Sequence, residues 1–185
     1  MAIGPDGAVH ISYLGYEHDL RHAWKETPDA EWQTEIVDES YSLTRTSIFI
    51  DGNNHAHIAF TSEDDTNAAY LVKYASNAAG TWTTEILDTQ SREGWNPEEE
   101  NFLPNLLPSL AVDEAGTVHI VYNNDGLIYA HGGSGDWTFA LIEPRKTYWS
   151  SMSLDGHGWV RVAYMAADAV WYAAFPQGYS GPPLE

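Results

Sequence analysis

The sequence predicts an all-β protein, a β-propeller built of four antiparallel blades that form a partial ring with an incomplete last blade. One observation behind this prediction is a segment that occurs four times, at intervals of 47, 62 and 42 residues. Such intervals are typical of four-stranded propeller blades. A second observation is that each copy alternates short apolar runs with turns rich in Gly, Asn and Asp, as antiparallel strands do.

The third copy, between Pro108 and Ala130, shows the pattern most clearly. It contains three short strands and two tight turns, and Gly116 occupies a turn position where a positive φ is often required. The predicted elements are a strand at 109–112, a turn at 113–116, a strand at 118–122, a turn at 123–126 and a strand at 127–130.

One strand of each copy carries a histidine followed three places later by an aromatic residue, except that arginine replaces histidine in the fourth copy. The pairs are His10 with Tyr13, His57 with Phe60, His119 with Tyr122, and Arg161 with Tyr164; Asp51, Asp113 and Asp155 lie six residues earlier in three copies. Buried polar groups in strands are normally hydrogen-bonded nearby. We therefore expect the three histidines to be buried against a turn carboxylate or a serine hydroxyl and to bind no metal.

A single domain is predicted over residues 1–183, and the last two residues, Leu184 and Glu185, resemble a cloning-site remnant. The predicted blades are 1–37, 47–87, 109–142 and 150–175, with an insertion at 88–107. Strands that begin with Trp32, Trp82 and Trp137 end the first three blades, and the fourth lacks such a strand. A bare sheet edge pairs readily with another chain, so we expect a homodimer or another closed oligomer, joined end to start.

The net charge and the lack of cysteine exclude several kinds of partner and site. The formal net charge is −19, which makes nucleic acid and anionic membrane surfaces poor partners. The absence of cysteine excludes a thiol nucleophile and Cys-based zinc sites. We expect no cofactor: the acidic segments 63–65 and 98–100 offer oxygen ligands suited to calcium, but they lack EF-hand spacing, which favours solvated charge.

The pattern shared by the copies is clearest at these positions: Val112, Asp113, Gly116, His119, Tyr122, Tyr129, Ala130 and the segment 82–86. With these residues the repeat resembles the BNR/sialidase-like propeller repeats of bacterial proteins, many of them secreted. The resemblance covers nearly the whole chain and is specific for the architecture. It implies a propeller fold and an extracellular or periplasmic location. The Asp-box of sialidases is matched in part at 113–117, and the three arginines that a sialidase gathers on its substrate are not visible.

The candidate ligand site lies on the connections that lead from each outer strand to the next blade. Half of the eight basic residues fall there, next to large aromatic residues. Arginine can hold a carboxylate or sulfate with two hydrogen bonds, and Trp or Tyr can stack on a sugar. Pairing of each arginine with a nearby acid, such as Glu39, Glu93 or Glu143, is the alternative. The candidate ligand-binding residues are Tyr41, Arg45, Arg92, Trp95, Asn96, Arg145, Tyr148 and Trp149.

Three functions remain open. The first is a non-enzymatic, lectin-like binding module for a glycan or another acidic small ligand, which the lack of a recognisable catalytic set favours. The second is a glycan-cleaving enzyme, which requires a carboxylate facing a tyrosine or a second carboxylate. Glu99 or Glu100 with Tyr148 is the best such set in the sequence. The third is a propeller fragment that serves in assembly.

Overall fold

A computed structural model of the chain describes residues 1–91 and 106–182, with the side chains of 42–44 excepted. The described chain consists of strands and turns, and the predicted all-β class is confirmed. Sheet 1 contains β1 (Ala2–Ile3), β2 (Val9–Leu14), β3 (Leu20–Lys25) and β4 (Gln33–Asp38); sheet 2 contains β5 (Ser42–Ile50), β6 (Ala56–Asp64), β7 (Ala69–Ser76) and β8 (Thr83–Ser91). Sheet 3 contains β9 (Ser109–Val112), β10 (Val118–Asn123), β11 (Leu127–Gly133) and β12 (Asp136–Glu143); sheet 4 contains β13 (Thr147–Leu154), β14 (Trp159–Ala166) and β15 (Ala169–Pro176).

Each sheet is an antiparallel meander, and the pairing register is the same in all four. The residue two places after the repeat histidine or arginine pairs with the third-strand position held by His22, Tyr74, Tyr129 and Tyr172. The four-fold repeat therefore sets the pairing as well as the strand order. Within the described residues, sheet 4 has three strands, in agreement with the predicted incomplete last blade.

Several strands are longer than the sequence predicted. β5 begins at Ser42 instead of residue 47, and β8 continues to Ser91, inside the predicted insertion. β6 continues through the polar residues after Phe60 to Asp64 and pairs with the start of β7. The reason is that a hairpin is stabilised by main-chain hydrogen bonds, so polar side chains on its exposed end do not terminate it.

The chain divides into two compact units, residues 1–95 and 96–185. In the first unit, sheet 1 packs on sheet 2 through an apolar cluster: Leu20 and Val37 from sheet 1 pack with Ile48, Ile50, Ala56, Ile58, Phe60 and Ala75 from sheet 2. In the second unit, β13 contacts both β9 and β10. The described part of the chain contains no helix long and apolar enough to cross a membrane. The single domain and the closed oligomer stay predictions.

A hydrogen-bonded relay joins the turn before the second strand to the third strand. In sheet 3, Nε2 of His119 lies 3.2 Å from Oδ2 of Asp113, and Nδ1 lies 2.6 Å from the hydroxyl of Tyr129. Because the aspartate can only accept, His119 donates from Nε2 and accepts the Tyr129 proton at Nδ1. The backbone N–H of Gly178 in turn donates to the Tyr129 hydroxyl, so every polar group in this relay is used.

Sheets 2 and 4 repeat this arrangement with changed residues. In sheet 2, His57 lies 3.4 Å from Asp51 and 2.6 Å from the Tyr74 hydroxyl. In sheet 4, the guanidinium of Arg161 donates to Asp155 and to the Tyr172 hydroxyl. Sheet 1 differs because Gly4 replaces the turn aspartate: His10 lies 2.9 Å from His22 instead of binding a carboxylate or a serine hydroxyl, and His22 lies 3.0 Å from Glu35. His10, His57 and His119 are all buried, so the predicted burial is confirmed.

Replacing His119 with alanine is expected to lower the free energy of unfolding by about 1–3 kcal/mol, because the Tyr129 hydroxyl then stays buried without its acceptor. Tyr129 and His119 are both fully buried in the folded chain. Urea denaturation of both proteins measures the difference. A double variant, His119→Ala with Tyr129→Phe, should recover part of the loss. A single variant as stable as the wild type would contradict the relay.

Candidate functional site

A β-bulge in the fourth strand recurs in sheets 1 to 3 and places a carboxylate at the same position each time. The register shifts between Leu20 and Arg21, between Val72 and Lys73, and between Leu127 and Ile128. The first residues paired with the third strand beyond the shift are Asp38, Asp88 and Glu143. Bulges re-aim side chains and are common next to functional sites. All three carboxylates lie on the end of the sheets from which the outer strands connect onward.

Glu143 is the carboxylate of sheet 3, and it contacts groups from sheet 4 and from the connection between the sheets. Nε and Nη2 of Arg145 donate to its two oxygens at 2.8 and 2.6 Å. The hydroxyl of Tyr164 donates to Oε2 at 3.2 Å. The guanidinium carbon of Arg145 lies 4.2 Å from the ring centre of Trp171. We call Glu143, Arg145, Tyr164 and Trp171 the Arg145 cluster.

The Arg145 cluster is held by buried groups on one side and is exposed to solvent on the other. The indole N–H of Trp171 donates to the Ala166 carbonyl at 3.0 Å, which holds the ring in place. Glu143 and Tyr164 are buried, whereas the side chains of Arg145 and Trp171 are both partly exposed. A cation stacked on an indole face is therefore presented to solvent on a fixed base.

The protonation states of Glu143 and Tyr164 do not change near neutral pH. The Arg145 guanidinium lowers the pKa of Glu143 to about 2, and burial works against this shift. Burial and the Glu143 charge raise the pKa of Tyr164. Glu143 is therefore an anion that neutralises part of Arg145, and Tyr164 is a neutral phenol that donates to it.

Sheet 2 has a counterpart of this cluster in which the cation, Lys73, is buried. Nζ of Lys73 donates to Asp38 at 2.7 Å and to Ser40 at 3.0 Å, and lies 5.3 Å from the Phe60 ring centre. Lys73 pairs with Phe60 as Trp171 pairs with Tyr164, so these positions are equivalent. Burial alone would raise the pKa of Asp38, but the Lys73 and Ser40 hydrogen bonds lower it overall. Lys73 is buried, and its charge is used inside the fold.

The sequence-predicted site residues fall into three groups. Arg145, Tyr148 and Trp149 lie together at the start of β13 and the connection before it, and Lys146 approaches Tyr148 at 6.0 Å. Tyr41 and Arg45 lie in the first unit, where Tyr41 stacks on His18 with ring centres 4.3 Å apart. The remaining predicted residues lie outside the described residues: Arg92, Trp95, Asn96, Glu99 and Glu100.

Three residues of the Arg145 cluster were not among the predicted ligand-binding or catalytic residues: Glu143, Tyr164 and Trp171. Glu143 was considered as an ion-pair partner for arginine, and that pairing is confirmed. Trp171 precedes the tyrosine of the repeat motif, at the position that Arg21 and Lys73 occupy in sheets 1 and 2. That substitution was visible in the aligned repeats. Its contact with Arg145 was not, because it depends on how neighbouring sheets pack.

The second unit also contains a cleft of about 420 Å³ between the two Asp-Gly turns of sheets 3 and 4. Asp113 and Asp155 line it, but both already accept backbone N–H groups and bind His119 or Arg161. In the part of the chain that the structure describes, no three His, Asp or Glu side chains converge as metal ligands would. The cleft is therefore less suited to a ligand than the Arg145 cluster.

The sequence matches no protein-family model and no curated protein. Solved structures are similar to it in fold. The leech intramolecular trans-sialidase aligns with a TM-score of 0.52 at 8% identity over 94% of this chain and 30% of that chain. The intramolecular trans-sialidase of Ruminococcus gnavus gives 0.52 at 8% identity over 92% of this chain and 40% of that one. The NanB sialidase of Streptococcus pneumoniae gives 0.54 at 10% identity over 95% and 30%.

These similarities show that the four sheets have the fold of sialidase-like β-propeller proteins, as the repeat predicted. This chain spans 30–40% of the length of the three proteins compared. At identities of 8–10% the similarity concerns the fold alone.

Proposed function

We propose that the chain is a non-enzymatic, lectin-like propeller that binds an acidic glycan at the Arg145 cluster. The observation that carries the proposal is the stack of the Arg145 guanidinium on Trp171, 4.2 Å away and open to solvent. A sugar ring can stack on the exposed indole while its carboxylate or sulfate meets the guanidinium. The fold it shares with sialidases, which act on glycans, supports the same class of ligand.

Glu143 would set the affinity and the selectivity of this site. It occupies Nε and Nη2 of Arg145, so the ligand would be held by the remaining guanidinium N–H groups. With a pKa of about 2, Glu143 stays charged at neutral pH and weakens the attraction of Arg145 for an anion. We therefore expect modest affinity, in which stacking contributes more than charge.

Replacing Trp171 with alanine is expected to weaken binding of an acidic glycan by about tenfold or more, because the stacking surface and the support for Arg145 are both lost. Isothermal titration with 3′-sialyllactose, the sugar used to soak the leech enzyme, measures this, and lactose serves as the neutral comparison. Trp159→Ala is the matched control, since Trp159 is equally exposed but lies at the opposite end of the same sheet. Equal losses in both variants would contradict the proposed site.

Glycan cleavage is a second candidate function, and one contact favours it. Tyr164 and Glu143 face each other at 3.2 Å, which is the tyrosine–carboxylate pair that such an enzyme requires. The expected catalytic set of Tyr148 with Glu99 or Glu100 stays a prediction, because both glutamates lie outside the described residues. Tyr164 is buried and its pKa is raised, which disfavours it as a nucleophile. Release of sugar from 3′-sialyllactose that disappears in Tyr164→Phe would favour the enzyme over the binding module.

A further inference from the structure

Sheet 4 carries an uncovered apolar face. Trp159, Val170 and Tyr172 lie on this face and are exposed. Val170 is 81% exposed, whereas Leu20 and Leu127 at the equivalent positions of sheets 1 and 3 are 0% exposed. Tyr172 is 63% exposed, whereas its counterpart Tyr129 is 0% exposed. A surface that belongs to the core in other sheets is open to solvent in sheet 4.

Sheet 1 also has apolar residues that are incompletely buried, and they lie on the face opposite to the one that carries His10. Ile3 is 66% exposed, and its strand neighbours Val9, Ile11 and Tyr13 are only half-buried. The equivalents of Val9, Ile11 and Tyr13 in sheet 2 are Ala56, Ile58 and Phe60, and these are buried at 0–1% exposure. Exposed apolar patches of this kind on a folded protein usually mark an interaction surface.

The packing of sheet 1 on sheet 2 shows how two such faces fit together. There, Leu20 lies against Ile58 and Phe60 in one apolar cluster. Val170 holds the position of Leu20 in sheet 4, and Ile11 holds the position of Ile58 in sheet 1. The two exposed faces therefore hold the counterpart of Leu20 on one side and the counterparts of Ile58 and Phe60 on the other.

We propose that the outward face of sheet 4 docks on the outward face of sheet 1 in a second copy of this chain. Val170 and Tyr172 of one copy lie over Ile11 and Tyr13 of the other, as Leu20 lies over Ile58 and Phe60 within one copy. The contact is heterologous, because different surfaces meet, and it closes only if the rotation per copy divides a full turn. This contact names the residues through which the closed oligomer, expected from the bare sheet edge, would form.

The negative charge of each copy opposes this docking, so self-association should depend on salt concentration. Each copy carries a formal net charge of −19, so two copies repel one another over a Debye length of about 10 Å at 0.1 M salt. Apolar contact is not weakened by moderate salt. Self-association should therefore strengthen as salt rises from about 0.05 to 0.5 M.

Sedimentation equilibrium of the 185-residue chain with Val170→Asp and Ile11→Asp variants tests the proposal. Each variant removes one half of the interface and should weaken self-association by about tenfold or more. An equimolar mixture of the two should regain one association step, because each then contributes an intact face. Tyr16→Asp is the control, since Tyr16 is fully exposed in the turn between β2 and β3 and should change nothing. Thermal unfolding of every variant confirms that each is folded.

Three outcomes would overturn the proposal. A wild-type chain that stays monomeric at every concentration and salt would show that neither face takes a second copy. A mixture that associates no better than the separate variants would show that the two faces are not partners. Association through sheet 4 alone, in which Val170→Asp is dissociated and Ile11→Asp is not, would indicate a symmetric contact instead.

Discussion

Replacing Leu20 with alanine is expected to lower the free energy of unfolding by about 2–5 kcal/mol, the usual cost of a cavity at a buried leucine. Leu20 is 0% exposed and packs in the cluster that joins sheets 1 and 2. Val170→Ala at the equivalent position of sheet 4 should cost less than about 0.5 kcal/mol, because Val170 is exposed in a single copy.

Urea denaturation of both variants, at concentrations where the chain is monomeric, measures the contrast. The two variants change equivalent positions in sheets 1 and 4. A difference between them would therefore report that sheet 2 covers Leu20, whereas Val170 is exposed. Similar losses in the two variants would contradict the view that sheet 4 presents an uncovered face.

Acidification below about pH 6.5 is expected to destabilise the protein through its buried histidines. Burial lowers the pKa of His57 and of His119, and the neighbouring aspartates offset only part of this. The unfolded chain therefore takes up protons first as the pH falls, so stability is full above the unfolded pKa and decreases below it. Each such imidazole contributes a slope of up to about 1.4 kcal/mol per pH unit.

The aspartates next to these histidines titrate at lower pH. Asp51 and Asp113 have lowered pKa values, so the stability they contribute is complete above the ordinary aspartate pKa and is lost as the pH falls from there through the lowered value of the folded chain. A double variant, His57→Gln with His119→Gln, should show a smaller loss of unfolding free energy between pH 7 and pH 5. His157→Gln, in an exposed turn, is the control and should keep the wild-type slope. An unchanged slope in the double variant would contradict the assignment.

The repeat predicted more than the fold class. A histidine with an aromatic residue three places later and an aspartate six places earlier predicted the strand order and the burial of His119. The missing Trp-led strand after the fourth copy predicted the incomplete last sheet. These features depend on local patterns that recur, so each copy supports the others. The bulge that aims Glu143 was not predicted, because an extra residue in a strand leaves no mark in the apolar pattern.

The proposed site was predicted only in part. Arg145 was identified because a cation next to aromatic residues is rare in a chain of net charge −19. Trp171 lies in a strand rather than a connection, and its contact with Arg145 crosses from one sheet to the next. Sequence spacing within one repeat carries no information about such contacts, whereas the shared register, once aligned, places Trp171 at the Lys73 position.

NMR of the ¹⁵N-labelled chain during titration with 3′-sialyllactose tests the binding site most directly. The signals of Arg145 Nε–H and Trp171 Nε1–H, assigned with Arg145→Lys and Trp171→Phe, are predicted to shift first and furthest. The backbone signals of the turn at 113–116, which lines the other cleft, should stay in place. Shifts centred on that turn, with Arg145 and Trp171 unchanged, would contradict the account.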